Sequence, residues 1–356
     1  MFYRGLLSRK RDCLLVFLVS LLLIQLCGAM NSNVDASSSG DDWPMFLHDP
    51  SHTGSTASAG PTEPVELWRF PVGDSVVTSA AVVNGVVYVA GNDNIYALDA
   101  YTGAELWRYP MPYHEMYSSP AVSEGMLFAG VAGKLLALDA SSGTEMWSYP
   151  TENPEDRVIS SPAVVDGVVY VGYPEGCLYA LNASTGSKIW NYTTKDVGNG
   201  IAIQSSPAVV GGVVYFGSLD HNVYALKAST GEKIWNQTVR LTVSSAPAVS
   251  GGVVYVCSRA GILYALSAAS GGELWHFPTD ADQVYASPAV SNGVLYIATR
   301  DGYFYAIGEP LTTPPPTLTP NPKADSFFLT WIIIAVGVLA VFGLVLLVYF
   351  RKRRHN

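Results

Sequence analysis

A unit of about 40 residues recurs along most of this chain, and self-similarity at that period restricts the fold more than any other feature of the sequence. The stretch SSPAVVDGVVYVGYPEGCLYALNASTGSKIW ends at Trp190, and SSPAVVGGVVYFGSLDHNVYALKASTGEKIW ends at Trp235. Related units end at Trp107, Trp147 and Trp275, and a sixth opens at Ser287-Pro288-Ala289-Val290. From Trp68 onward these tryptophans stand 39, 40, 43, 45 and 40 residues apart.

Each unit holds four short apolar runs of the kind Pro-Ala-Val-Val, Val-Val-Tyr-Val, Tyr-Ala-Leu and Lys-Ile-Trp, too short for helices and rich in β-branched and aromatic residues. Pairs such as Asn84-Gly85, Asp166-Gly167 and Gly251-Gly252 separate the first two runs, as a two-residue hairpin with positive φ requires. Thr102-Gly103, Ser142-Gly143, Thr185-Gly186, Thr230-Gly231 and Ser270-Gly271 join the third run to the fourth. A four-stranded antiparallel meander of this size cannot bury both faces alone, and radial repetition covers them. The expectation is an all-β domain over residues 43–309, a single β-propeller with six blades, seven or eight being less favoured. Proline at 120, 162, 207, 247 and 288 opens the first strand, which suits an edge along the axial channel. The sixth unit stops at Tyr305-Ala306-Ile307-Gly308 without its Trp-containing strand, and Glu66-Leu67-Trp68-Arg69-Phe70 is expected to supply it and close the ring.

The unit SSPAVxxGxVYVGxxDGxLYALxAxTGxxxW resembles the PQQ (pyrroloquinoline quinone) type of propeller repeat, and Trp43-Pro44-Met45-Phe46 with His48-Asp49-Pro50 and His52-Thr53-Gly54 looks like its usual lead-in. The resemblance implies that Trp68, Trp107, Trp147, Trp190, Trp235 and Trp275 dock between neighbouring blades. It also implies one of two classes: quinoprotein dehydrogenases, or non-enzymatic relatives such as lipoproteins that assist outer-membrane assembly. The dehydrogenase features of the family, an adjacent Cys-Cys pair, a Cys-x-x-Cys-His haem site and eight repeats, have no counterpart in this sequence. No catalytic residue is carried over. PQQ with calcium remains the alternative to a body without cofactor.

The two ends read as targeting segments. Arg4, Arg9, Lys10 and Arg11 precede the apolar run Leu14 to Leu26 and the small residues around Ala29, which reads as a signal peptide over 1–29, an uncleaved signal anchor being the alternative. A Ser-rich segment, 30–42, follows. Residues 310–326 are rich in Pro and Thr and favour an extended stalk. Phe327 to Phe350 is an uncharged stretch of 24 residues, about 36 Å as a helix and long enough for one transmembrane helix. The basic tail 351–356 then places the C-terminus in the cytoplasm and the propeller outside a cell membrane.

From Met30 to Lys323 there are 12 basic and 27 acidic residues, a net charge near −15, which argues against nucleic acid as a partner. Cys177 and Cys257 lie two repeats apart at different positions in the unit and are read as unpaired. Sequons at Asn182, Asn191 and Asn236 permit glycosylation. In a meander the second hairpins and the connections between blades share one end, and loops on a rigid scaffold are where recognition concentrates. The candidate ligand face therefore comprises His114, Glu115, Glu155, Asp156, Asp196, Asp220, His221, Asp280, Asp282 and Asp301. Its carboxylates could hold calcium, although solvated turn residues account for them equally. The functional expectation is a membrane-anchored binding or scaffolding module for an envelope or surface protein or a glycan. A quinone-dependent dehydrogenase of an alcohol or sugar is the alternative, and a surface-layer component is the third reading.

Overall fold

Hairpin chemistry sets the local structure. At the first turn of the repeat, Asn84 and Gly85 have φ of 50° and 75°, and Asp166 and Gly167 have 49° and 72°, the paired left-handed conformation that joins twisted strands without splaying them. The computed structural model describes residues 42, 44–52, 65–72, 78–91, 93–111, 117–153, 156–194, 202–279, 281, 283–291, 293–300 and 303–308. The expected signal peptide, stalk, transmembrane helix and basic tail lie outside the described residues. Among those residues no helix is long and apolar enough to cross a membrane.

Every regular element described is a strand. The first sheet joins β1 (Ala81–Val83), β2 (Val86–Ala90), β3 (Asn94–Asp99) and β4 (Glu105–Pro110) in that order. The second joins β5 (Ala121–Ser123), β6 (Met126–Val131), β7 (Lys134–Asp139) and β8 (Glu145–Pro150). The third has β9 (Ala163–Val165), β10 (Val168–Gly172), β11 (Cys177–Asn182) and β12 (Lys188–Thr193). The fourth has β13 (Ala208–Val210), β14 (Val213–Gly217), β15 (Asn222–Lys227) and β16 (Lys233–Thr238), and the fifth has β17 (Ala248–Ser250), β18 (Val253–Ser258), β19 (Ile262–Ser267) and β20 (Glu273–Pro278). A sixth sheet has three strands, β21 (Ala289–Ser291), β22 (Val294–Ala298) and β23 (Phe304–Ile307). All pairings are antiparallel, and the first strands of consecutive sheets lie side by side in chain order, so the sheets stand as blades around an axis.

Neighbouring blades are joined by one repeated contact. Trp107 Nε1 donates to the Ala140 carbonyl of the next sheet at 2.9 Å, Trp147 to Ala183 at 2.8 Å, Trp190 to Ala228 at 2.8 Å and Trp235 to Ala268 at 2.9 Å. In three of these places the same carbonyl also accepts a tyrosine hydroxyl, from Tyr88, Tyr170 and Tyr215 at 3.2–3.3 Å. Each of these indoles lies against the glycine of the receiving turn, where a Cβ on Gly143, Gly186, Gly231 or Gly271 would come within 2.6 Å of the ring. Trp190 and Trp235 are only 8% and 7% exposed, and burial of an indole contributes on the order of 5 kcal/mol of apolar transfer. Trp68 makes the same contact with the first sheet, donating to Ala100 at 3.0 Å beside Gly103. The described pairings include none between its segment and β23, whose residue Phe304 is 70% exposed.

A β-bulge explains the rim. In all five complete sheets the register between third and fourth strands slips one residue before the tryptophan, between Ala97 and Leu98 in the first sheet and Ala180 and Leu181 in the third. The residue skipped by the ladder is Leu106, Met146, Ile189, Ile234 or Leu274, and each is 42–57% exposed.

Around the axis the blades are linked by serine. Ser79 N donates to Ser119 Oγ, Ser119 N to Ser161 Oγ, Ser161 N to Ser206 Oγ and Ala246 N to Ser287 Oγ, all at 2.9 Å. The preceding serines tie each first strand to its own blade: Ser118, Ser160, Ser205 and Ser245 accept from Gly130, Gly172, Gly217 and Cys257 at 3.0–3.1 Å. The relay lacks one hydroxyl, because Ala246 stands where Ser206 N would find its acceptor.

Two stability outcomes follow from this framework. Gly231→Ala, at φ +71° with Trp190 in the way, should cost about 2–4 kcal/mol, whereas Gly212→Ala, at φ +76° in open space, should cost only about 1 kcal/mol. Equal losses in chemical denaturation would show that the indole contact contributes nothing. Ala246→Ser should raise stability by about 0.5–1.5 kcal/mol by completing the relay, measured in the same denaturation series.

Candidate functional site

The channel between the blades is occupied by the chain itself. The open edges of the first strands would leave amides unpaired there, and residues 44–52 cover several of them. Val122 N donates to Pro44 O at 2.7 Å, Val209 N to Pro50 O at 2.7 Å and Val249 N to Ser51 O at 2.9 Å, so the segment binds the second, fourth and fifth blades from inside. Asn84 N donates to Asp42 Oδ1 at 3.1 Å, adding the first blade. Met45 is 4% exposed in one apolar cluster with Ala121, Phe128 and Val164. His52 is buried at 1% exposure, packs edge-on against Phe46 and donates from Nδ1 to Pro247 O at 3.2 Å, since a carbonyl can only accept. Burial pulls its pKa down from 6.5 to about 4, with the Pro247 carbonyl and the Asp49 charge acting the other way.

At one end of the channel, the hairpins after the second strands and the connections between blades form the face expected to carry recognition. Of the residues assigned to it, Asp156, Asp220 and His221 are described; His114, Glu115, Glu155, Asp196, Asp280, Asp282 and Asp301 lie outside the described residues. Asp156 accepts from Asn153 Nδ2 at 3.2 Å in the connection before β9. Asp220 accepts from Tyr224 OH at 2.5 Å and from Asn222. His221 holds the left-handed position of the same hairpin at φ 71°, and its carbonyl accepts from Val239 N. The third blade repeats the tyrosine–carboxylate pair. Tyr179 OH donates to Glu175 Oε1 at 3.3 Å, and desolvation holds the Glu175 carboxyl above its usual range, with Glu152 and Asp156 adding to the shift. Tyr149, Tyr173 and Tyr179 pack with centroids 4.8–6.1 Å apart, and Tyr173 is fully buried, donating to Tyr149 O.

The fifth and sixth blades also place two arginines on this face, which reading the sequence one motif at a time missed. Arg259 Nη2 donates to Gln204 Oε1 at 3.1 Å, and its guanidinium lies 4.8 Å from the centre of the Tyr285 ring. Arg300 Nη1 donates to Gln283 Oε1 at 3.1 Å, and Tyr285 OH donates to the same oxygen at 2.6 Å. Alignment of the repeats holds the missed signal: at the hairpin position where the third and fourth blades have Pro174 and Leu219, the fifth and sixth have Arg259 and Arg300.

Among the described residues no group of three or more His, Cys, Asp or Glu side chains is placed to hold a metal ion. Cys177 and Cys257 are buried free thiols, and burial pushes Cys257 up to about 12, so Cys257 is not a poised nucleophile. At the opposite end, a groove of about 570 Å³ runs between the first and second blades, lined by Val83, Tyr88, Leu106 and Trp107.

The family model described as outer membrane protein assembly factor BamB matches residues 65–221 and 219–309. Curated protein sequences give no match. Among solved structures, BamB from Moraxella catarrhalis is similar at 21% identity and a TM-score of 0.57, over 68% of this chain and 76% of that one. A europium-containing methanol dehydrogenase is similar at 17% identity and a TM-score of 0.61, over 75% and 70% of the two chains. The quinohemoprotein alcohol dehydrogenase of Comamonas testosteroni is similar at 16% identity and a TM-score of 0.60, over 76% of this chain and 60% of its own length. At such identities the likeness to these structures is one of fold, a PQQ-type propeller.

The buried imidazole sets a pH dependence. The unfolded chain protonates His52 near 6.5 and the folded chain only near 4, so the stability it contributes is complete above about 6.5 and is lost as pH falls towards 4. The loss should be about 3 kcal/mol over that window. His52→Gln should flatten the variant's own profile over that window, so that the wild-type-minus-variant difference changes by about 3 kcal/mol; a parallel slope in both proteins would show that His52 is not the group responsible.

Proposed function

Because the chain belongs to the family described as outer membrane protein assembly factor BamB, we propose that it is a non-enzymatic binding or scaffolding propeller for a protein component of a cell envelope. The observation that carries this reading is the occupied channel. Residues 44–52 hold the inner edges of the second, fourth and fifth blades, so the space along those edges is taken by the chain's own backbone rather than left open for a cofactor. Recognition then falls to the end face, whose side chains are held by tyrosine and amide partners.

In this proposal the signal segment 1–29 exports the chain, Phe327 to Phe350 anchors it in the membrane, and the stalk 310–326 holds the propeller outside. Six blades close the ring, with Glu66 to Phe70 completing the sixth, a reading supported by the docking of Trp68 on the first sheet. Asn191 and Asn236 are exposed on the outermost strands and offer room for glycans. Asn182 has its Oδ1 engaged by Ser184 N and Thr185 N in a turn. The second reading, a quinone-dependent dehydrogenase, draws only on likeness of fold to the methanol and alcohol dehydrogenases.

Calorimetric titration of the full-length protein with pyrroloquinoline quinone, with and without calcium, should show no binding. A photo-crosslinking residue at Asp220 should give discrete protein adducts in cells, while one at Ser184, in a turn at the opposite end, should give none. Tight calcium-dependent binding of the quinone would favour the dehydrogenase, and adducts confined to Ser184 would overturn the choice of face.

A further inference from the structure

At the end opposite the recognition face, the first hairpin of each complete blade lies against the turn between its third and fourth strands. One backbone bond per blade fixes the two side by side: Ala100 N to Gly85 O, Ala140 N to Gly125 O, Ala183 N to Gly167 O, Ala228 N to Gly212 O and Ala268 N to Gly252 O, all at 2.8–2.9 Å. The residues just before these partners are Asn84 with Asp99, Glu124 with Asp139, Asp166 with Asn182, Gly211 with Lys227 and Gly251 with Ser267. Among the five, only the second blade has a carboxylate at both places. The groove of about 570 Å³ between the first and second blades opens there, and Glu124 and Asp139 line it together with Val83, Val86, Leu106 and Trp107.

Both carboxylates have acceptor oxygens to spare. Glu124 is exposed at a left-handed position, φ 49°, and its side chain has no partner among the described residues. Asp139 is positioned through Oδ1 alone, which accepts from Ser141 N and Oγ at 3.0 and 2.6 Å and from Ser142 N and Oγ at 2.8 and 2.9 Å; Oδ2 is left over. Those bonds, the Ser141 hydroxyl first, hold its pKa below the usual carboxylate range, so it stays ionised at neutral pH. Ten of the 12 basic residues between Met30 and Lys323 are described, and none of the ten pairs with Glu124 or Asp139; the other two are Lys195, between β12 and β13, and Lys323, past the last described strand. Beside the acids the groove is apolar. Leu106, skipped by the ladder at the bulge, is 52% exposed, and Trp107 is half-buried with its N–H already taken by Ala140, which leaves only the ring to offer.

We propose that this groove docks an arginine-bearing, otherwise apolar segment of a protein partner, a second interaction surface that goes beyond the end-face reading and does not depend on it. Indole and carboxylate side by side suit a guanidinium, which stacks on the ring and forks to the acid, while an aliphatic neighbour covers Val83, Val86 and Leu106. About 570 Å³ takes such a side chain with its neighbour rather than a bare ion, and among the described residues no three His, Cys, Asp or Glu groups are placed for a metal. The net acidity of the body, 27 acidic against 12 basic residues between Met30 and Lys323, steers a basic segment towards the protein, and the two carboxylates at one junction select where it stays.

The test uses the full-length protein in detergent and a fluorescent peptide, Gly-Ser-Leu-Arg-Leu-Ser-Gly, followed by anisotropy, with citrulline in place of arginine as the neutral control. The arginine peptide should bind, and the citrulline peptide about tenfold more weakly. Glu124→Gly and Asp139→Asn should each weaken the arginine peptide about three- to tenfold, and together abolish its binding. Both variants keep the fold, because other blades carry the same residues at the same places: Gly211 in the fourth, and in the third Asn182, whose Oδ1 accepts from Ser184 N and from Thr185 N and Oγ1. Asp166→Asn, the same loss of charge at the third blade's hairpin, should leave binding unchanged. Equal weakening by Asp166→Asn would reduce the effect to diffuse attraction by an acidic body and overturn the site. No binding to the wild type, wild-type affinity in the double variant, or equal affinity for the citrulline peptide would overturn it as well. Concentration-dependent dimers in mass photometry that Leu106→Gln removes would make a second copy the occupant and overturn the partner. The quinone titration and the Asp220 crosslinks report on the end face and the channel, so failure here leaves that reading standing.

Discussion

The structure depends on one contact repeated at four successive blade junctions: an indole pressed onto the glycine of the next blade's turn, its N–H satisfied by an alanine carbonyl three residues before that glycine. A four-stranded sheet with two apolar faces has no stable existence alone, and this contact converts a row of such sheets into a continuous core. It requires a residue without Cβ in a left-handed turn, a large flat ring and a free carbonyl at the same time. The bulge before the tryptophan meets the second requirement by turning the ring inward, and it leaves an exposed aliphatic side chain at each rim position as a consequence.

The inner side of the ring is solved differently. There the strands present open edges, and unpaired amides in a narrow channel are costly. Serine hydroxyls carry hydrogen bonds from blade to blade, and the segment 44–52 brings carbonyls to the edges of three blades. This segment is a structural member that lays the chain's own backbone along edges that would otherwise stay open. The described part of the end face holds tyrosine-supported carboxylates on the third and fourth blades and two glutamine-held arginines on the fifth and sixth.

Much of this was legible before any coordinates. The period, the four runs per unit, the turn pairs and the strand order were readable because each is set by local chemistry: alternation, β-branching, and Gly or Asn where φ is positive. The isolation of Cys177 and Cys257 was readable from their different places in the repeat, and both are free. Less was legible of the face. Carboxylates there attract notice as single residues, whereas Arg259 and Arg300 are placed by glutamine partners from other segments, which are visible only once those segments are arranged.

The sequence by itself determined that the chain builds antiparallel blades of one repeated design, since repetition and turn chemistry act over a few residues and need no information from elsewhere. Only the tertiary structure decided what fills the axis and which side chains meet on the face. The bond from His52 to Pro247 spans 195 residues, and that from Arg259 to Gln204 spans 55. Contacts of that range exist only after the blades are arranged around the axis, because ring geometry, and no local preference, brings their partners within a hydrogen bond of each other.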